Sequence, residues 1–152
     1  MKARAAIILI QHNKIALIER YRAGRHYFVF PGGKIKTAET PAIAAKREAL
    51  EELGLVVNIA MLVAEVWYLG LPQYYFLAHQ VEGHFGQGTG SEMNGQPDSE
   101  KGSYLPVWLP VYELTDQPVL PKIMAGYVRE AHLTCWPEHP LLVTDRSPDE
   151  PV

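Results

Sequence analysis

The chain has 152 residues, a length typical of one domain, and 47% of them are hydrophobic, enough for a real core. Its net charge is −3 and its pI is near 6.1, so capture of nucleic acid by general electrostatics is not favoured and no stable nucleic-acid complex is expected. The single cysteine, Cys135, excludes an internal disulfide and fits a reducing compartment; the thiol reads as a small packed hydrophobe.

Ala3 to Ile10 is a continuous apolar, β-branched run, as in a buried central strand. It is too short to span a membrane, and no cleavage-site pattern accompanies it, so a soluble cytoplasmic protein without a membrane partner is expected. Gln11 to Lys14 reads as a polar turn and Ile15 to Ile18 as a second strand. Glu19 to His26 reads as a basic loop carrying Arg20, Arg22 and Arg25. Tyr27 to Phe30 is a short strand that feeds the turn Pro31-Gly32-Gly33. A glycine-rich turn of this kind lets backbone approach a ligand closely.

A helix is predicted from Pro41 to Leu53. Thr40 suits the N-cap, Pro41 the first helical position, and Gly54 a left-handed C-terminal cap. At about 100° per residue, Ala42, Ile43, Ala49, Leu50 and Leu53 gather on one side. Glu48, Glu51 and Glu52 gather on the other, with small Ala44 among them. Such like charges repel by ~0.2–0.5 kcal/mol per pair. Arg47 can pair with Glu51 one turn on, and a hard divalent cation such as Mg²⁺ or Mn²⁺ would compensate further. The ordinary alternative is a solvated acidic face.

Leu55 to Leu69 is strand-like and long enough to contain a bend or two strands, and Tyr74 to Val81 reads as the return strand of a hairpin. Gly83 to Ser103 is a long loop with six glycines. Loops of that length in compact domains are usually functional or disordered, and this one is expected to order over bound ligand. Tyr104 to Leu109 reads as an edge strand, because Pro106 and Pro110 interrupt its donors. Val111 to Leu114 reads as a helical turn. Pro121 to Leu133 reads as a second helix that turns Ile123, Tyr127 and Val128 to the core. The domain is expected to cover residues 1–135, with residues 136–152 a loose proline-rich tail. Strands flanking one helix, with a second helix late, indicate an α/β fold with a mixed sheet covered on both faces.

The stretch Gly33–Leu55 resembles the Nudix box, G-x5-E-x7-R-E-U-x-E-E-x-G-U, where U is a bulky aliphatic. The matching residues are Gly33, Glu39, Arg47, Glu48, Glu51, Glu52, Gly54 and Leu55; only Ala49, small at a U position, departs. The resemblance implies an α/β/α sandwich with a loop–helix–loop catalytic motif. It implies hydrolysis of a pyrophosphate bond in a nucleoside diphosphate derivative (a nucleoside triphosphate, nucleotide sugar or dinucleotide) by attack of water at phosphorus. It also implies that Glu48, Glu51 and Glu52 hold Mg²⁺ or Mn²⁺, that Arg47 orients one of them, that Glu39 is structural, and that a homodimer is plausible. A nucleotide-binding regulatory domain without hydrolysis is the alternative, although the acids of the box are intact.

Around the box, Gly32 and Gly33 offer backbone to the substrate, and Arg20 and Lys34 are the favoured phosphate contacts. Glu92, Asp98 and Glu100 are candidates for one more ligand from the long loop. Trp67, Tyr68, Tyr74, Tyr75 and Phe76 could stack on a base, although strand aromatics are usually core. Gly86 to Gly90 lacks the Lys-Ser/Thr of a P-loop.

Overall fold

A computed structural model describes residues 2–90 and 100–144 of the chain. Two hairpins and their crossovers build one nine-stranded mixed sheet. β1 (Arg4–Gln11) lies between a long hairpin and a shorter one. On one side it runs parallel to β6 (Leu71–Gly83), which pairs antiparallel with β5 (Leu55–Tyr68). On the other it meets β2 (Lys14–Arg22) only at Ile10↔Ile15 and Gln11↔Lys14. β2 then diverges to pair with β3 (Arg25–Val29) and β7 (Ser103–Pro110). The gap left beside β1 is filled by the three-residue β4 (Gly32–Lys34), antiparallel to Arg4, Ala5 and Ala6. This opening between two halves of the sheet is what makes room for a site.

Side chains alternate across the sheet as the two-residue period requires. Ala5, Ile7 and Leu9 of β1, with Ala16 and Ile18 of β2, pack under helix α1 (Pro41–Leu53). Ile8 of β1, with Ile15 and Leu17 of β2, packs on the opposite face with helix α2 (Lys122–Leu133). Each face therefore has its own core, and the expected α/β/α sandwich is the architecture observed. The helix α1 has the predicted bounds. The Thr40 hydroxyl accepts the Ile43 N–H at 3.2 Å, and Gly54 is left-handed at φ 76°.

Several expectations are corrected. β2 continues through Arg22, and only Ala23 and Gly24, both at positive φ, form the turn; the basic loop is two strands of a hairpin. Residues 19–21 stay extended because β3 and β7 supply backbone partners on both sides, and Arg22 follows by pairing with Arg25 of β3, which outweighs their polar composition. The β5–β6 pairing is longer than expected and shifts register between Val56 and Val57, between Ile59 and Met61, and between Leu62 and Ala64. Such bulges bend a strand locally. Among the described residues β7 pairs only with β2, as an edge strand should. In α2 the buried residues are Met124, Ala125, Val128 and Ala131, whereas Ile123 is exposed. Within the stretch expected to be a loose tail, Leu141–Val143 forms β9, parallel to β5, and Trp136 packs on the α2-side core. Cys135 is exposed rather than packed.

Candidate active site

A single helix face decides the site. On α1 the buried residues are Ala44, Ala45, Glu48, Ala49, Glu52 and Leu53. Ile43 and Leu50, expected on the inner side, are 53% and 46% exposed. The reason is the neighbours: the alanines seat the helix close to β1 and β4, so the glutamates rather than the larger aliphatics turn inward. Small Ala49 is fully buried, which makes its departure from a bulky residue the condition for that close seat. Glu48 and Glu52 are 9% and 5% exposed, and buried carboxylates need partners.

Those partners are visible. The Gly32 N–H donates to Glu52 Oε1 at 2.6 Å, a short charge-assisted bond. Arg47 donates from one guanidinium nitrogen to Glu48 Oε1 at 2.8 Å and to Glu51 Oε2 at 3.1 Å. Its Nε and other nitrogen reach both oxygens of Glu39 at 2.7 and 3.0 Å, and it also donates to the Lys34 carbonyl at 2.9 Å. The guanidinium hydrogen bond from Arg47, with the Lys36 N–H, pushes Glu39 down to about 2. Glu39, and next Glu48, hold Arg47 above its usual range despite partial burial. Glu39 thus locks the arginine, and the arginine sets two of the three helix carboxylates.

Both glycines ahead of the helix are needed for room. A Cβ on Gly33 would stand 2.3 Å from Glu48 Oε1, and one on Gly32 would stand 2.4 Å from the Ala5 carbonyl. The start of the long loop is docked at the far end of the same helix. The Gly86 and Gly90 N–H groups donate to the Leu53 and Glu51 carbonyls at 2.9 Å each, satisfying helix-terminal acceptors. Gly88 lies so close that a Cβ would meet the Glu51 carbonyl at 2.3 Å. Gly88 is thus needed for close approach to the helix end, whereas Gly86 serves through its positive φ of 92°.

These elements enclose a cavity of about 750 Å³. Gly32, Gly33, Lys34, Arg47 and the three glutamates line it, with Thr89 and Gly90 from the loop. Arg20 also lines it, buried, but its guanidinium is engaged. It donates to the carbonyls of Lys101 and Ser103 and lies 3.6 Å from the centre of the Tyr104 ring. Arg22 donates to the Glu100 carbonyl at 3.2 Å, so the two arginines pin the returning end of the loop. The exposed Glu100 carboxylate does not line the cavity, and Glu92 and Asp98 lie outside the described residues. Of the five strand aromatics only Tyr75 reaches the cavity; it is buried and set edge-on to Phe30 at 5.6 Å.

Among the described residues no three His, Cys, Asp or Glu side chains stand close enough together to hold a metal ion. Arg47 bonds to Glu48 and Glu51, while Glu52 accepts from Gly32. The donors nonetheless fit a hard cation in kind: carboxylate oxygens, two of them on buried residues, on one cavity wall.

The NUDIX domain pattern matches residues 1–130. No curated protein matches the chain. Among solved structures, an ADP-ribose pyrophosphatase from Streptococcus suis superposes with a TM-score of 0.64 at 20% identity, over 95% of this chain and 98% of that one. A NUDIX hydrolase from Nitrosomonas europaea superposes at 0.69 and 21% identity, over 95% and 79%. A UDP-X diphosphatase superposes at 0.61 and 14% identity, over 93% and 66%. At such identities the likeness is one of fold.

Proposed function

The chain belongs to the NUDIX family, and from that premise we propose that it hydrolyses a pyrophosphate bond in a nucleotide derivative with the help of Mg²⁺ or Mn²⁺. The observation that carries this reading is the inward turn of Glu48 and Glu52 on α1. A helix that exposes Ile43 and Leu50 while burying two carboxylates on a polar cavity is not arranged for stability alone. Glu48, Glu51 and Glu52 would hold the cation, which when bound neutralises phosphate oxygens and makes water more acidic. Rearrangement of Arg47 away from Glu48 or Glu51 would accompany that binding.

The chain's own groups do the rest. Gly32 and Gly33 bring backbone against the phosphates, and Lys34 supplies a point charge at the same edge. Glu52, held by the Gly32 N–H, presents its carboxylate at a set position, and Glu39 holds the Arg47 guanidinium. In the reaction an oxygen of water bonds to phosphorus, the bridging P–O bond breaks, and the water proton passes to a carboxylate or to the departing phosphate. Little covalent work is asked of the protein, as is usual for phosphoryl transfer. The names of the similar structures, an ADP-ribose pyrophosphatase and a UDP-X diphosphatase, are consistent with this class of chemistry.

No helix among the described residues is long and apolar enough to cross a membrane. A cytoplasmic location is part of the same proposal, supported by the single cysteine. The test is a panel of nucleotide derivatives with Mg²⁺ and with Mn²⁺, products identified. Activity should vanish in chelator and return with either ion. Full turnover in chelator would overturn the mechanism.

A further inference from the structure

The cavity is far more cationic than the protein. The chain as a whole carries −3, yet among the described residues eight of its fourteen Lys and Arg line this one cavity against three glutamates. Glu39, which pairs with Arg47 from outside the lining, brings the excess of five positive charges down to four. Among the described residues Arg47 is the only cavity cation with an ion pair within 4.0 Å.

The placement of these cations is costly. Arg4 and Lys34 are direct partners in the antiparallel β1–β4 register, so like charges stand opposite each other on one sheet face. Such pairs destabilise a sheet. Lys2 and Lys36 flank them on the same two segments and line the same cavity. Arg20, Arg22 and Lys101 form a second group, from β2 and the approach to β7. Arg20, Arg22 and Arg47 are held by hydrogen bonds within the fold, whereas Lys2, Arg4, Lys34, Lys36 and Lys101 have no ion pair within 4.0 Å among the described residues, and an anion would offset their concentration.

The count discriminates between substrates. A nucleoside diphosphate joined to a neutral sugar carries about two negative charges, whereas a triphosphate or a longer chain carries about four or more. Among the described residues the cavity also offers little to a base. Tyr104 has its ring face covered by Arg20, and Phe30 and Tyr75 are buried. Resting on the hydrolase reading above, we propose that the preferred substrate carries at least three phosphate groups, and that Arg4, Lys34 and Arg22 select it through the phosphates beyond the bond that is cut. Charge number, rather than the base or the sugar, sets the specificity.

The experiment compares a nucleoside triphosphate and a dinucleoside tetraphosphate with ADP-ribose and a UDP-sugar, all under saturating Mg²⁺. The expected kcat/KM is at least tenfold higher for the two polyphosphates, with a steeper loss as salt is raised. The double variant Arg4→Gln with Lys34→Gln, and separately Arg22→Gln, should lower this preference at least fivefold, and Arg4→Lys should keep it. Melting curves identify a variant that has lost its fold, and the salt dependence of the unaltered protein then carries the test. Equal or better turnover of ADP-ribose, or a preference unmoved in folded variants, overturns the proposal. Absence of turnover with every compound would defeat the hydrolase reading instead. Calorimetric titration with the same compounds then decides the present inference, which requires at least tenfold tighter binding of the polyphosphates and fails if the affinities are equal.

Discussion

Helices α1 and α2 are thirteen and twelve residues long and cover opposite faces of one sheet, yet they bury different kinds of residue. α2 has no side-chain cap at its N-terminus and buries Met124, Ala125, Val128 and Ala131, all of them apolar. α1 is capped by Thr40 and Gly54 and buries Glu48 and Glu52 among alanines. Buried carboxylates do not add stability by themselves; even when paired they roughly break even against apolar groups. α1 therefore gives up core area for chemistry and recovers its position through local devices: two caps, the Glu39–Arg47 pair, and the docking of Gly86 and Gly90 on its last turn. α2 has an apolar buried face and, beyond the Thr134 N–H and hydroxyl donating to the Glu130 carbonyl at its end, no comparable set of devices among the described residues.

The comparison breaks most visibly under paired substitutions. Glu52→Gln keeps shape and removes the charge held by the Gly32 N–H. We expect a hundredfold or larger fall in kcat, ~2.7 kcal/mol or more of barrier, with the melting temperature nearly unchanged. Met124→Ala on α2, at a fully buried position, should do the reverse, costing about 2–5 kcal/mol of stability without altering turnover of the folded enzyme. Kinetics and denaturant titration on the two proteins check both halves. Near-normal turnover of Glu52→Gln would remove α1 from the chemistry.

A smaller effect is expected at Gly33. A methyl group there would meet Glu48 Oε1 at 2.3 Å, and the carboxylate, being the end of a flexible side chain, can swing aside. Gly33→Ala should therefore lower kcat about tenfold, ~1.4 kcal/mol, while stability barely moves. A loss of stability without a loss of rate would mean that Gly33 serves strand pairing with Ala5 and not the placement of Glu48.

Arg20 sharpens the contrast from the loop side. Its guanidinium serves the Lys101 and Ser103 carbonyls, so Arg20→Gln should leave those acceptors poorly satisfied, at ~1 kcal/mol. Hydrogen exchange at residues 100–104 should accelerate, with α2 unaffected. Unchanged exchange together with a raised KM would return Arg20 to the role of direct phosphate ligand expected from its position in the sequence.

What was legible in the sequence follows the same division. α1 could be read end to end because its limits are local: a hydroxyl, a proline and a left-handed glycine within a few residues. The mixed sheet between two helices was legible from the order of elements. The inward face of α1 was not, because amphipathic counting places Ile43 and Leu50 inside, and only the close approach of β1 and β4 reverses that. The extension of β2 through Arg22 and the addition of β9 depend on partners distant in the chain, β7 and β5. The crowding of basic residues was legible only at Arg20, Arg22 and Lys34; Lys2, Arg4, Lys36 and Lys101 reach the same cavity from separate segments.

The smallest effect concerns the lock on Arg47. Glu39 sits at about 2, against an ordinary value of 4.5, chiefly because Arg47 donates to it. A carboxyl with a lowered value in the folded state binds fewer protons there than in the unfolded chain. Its contribution is thus complete above about pH 4.5 and is lost progressively as the pH falls toward 2. Glu39 is near the surface, where solvent screens such pairs, so the change should be modest. Glu39→Gln should shift the urea midpoint downward at pH 6, and the gap from the unaltered protein should close as the pH is lowered through that window. A variant at α2, such as Glu130→Gln, provides the control, since no ion pair within 4.0 Å involves Glu130 among the described residues. If the Glu39→Gln gap stays constant with pH, the carboxylate charge does not anchor α1, and the helix rests on its caps and on the docked glycine loop alone.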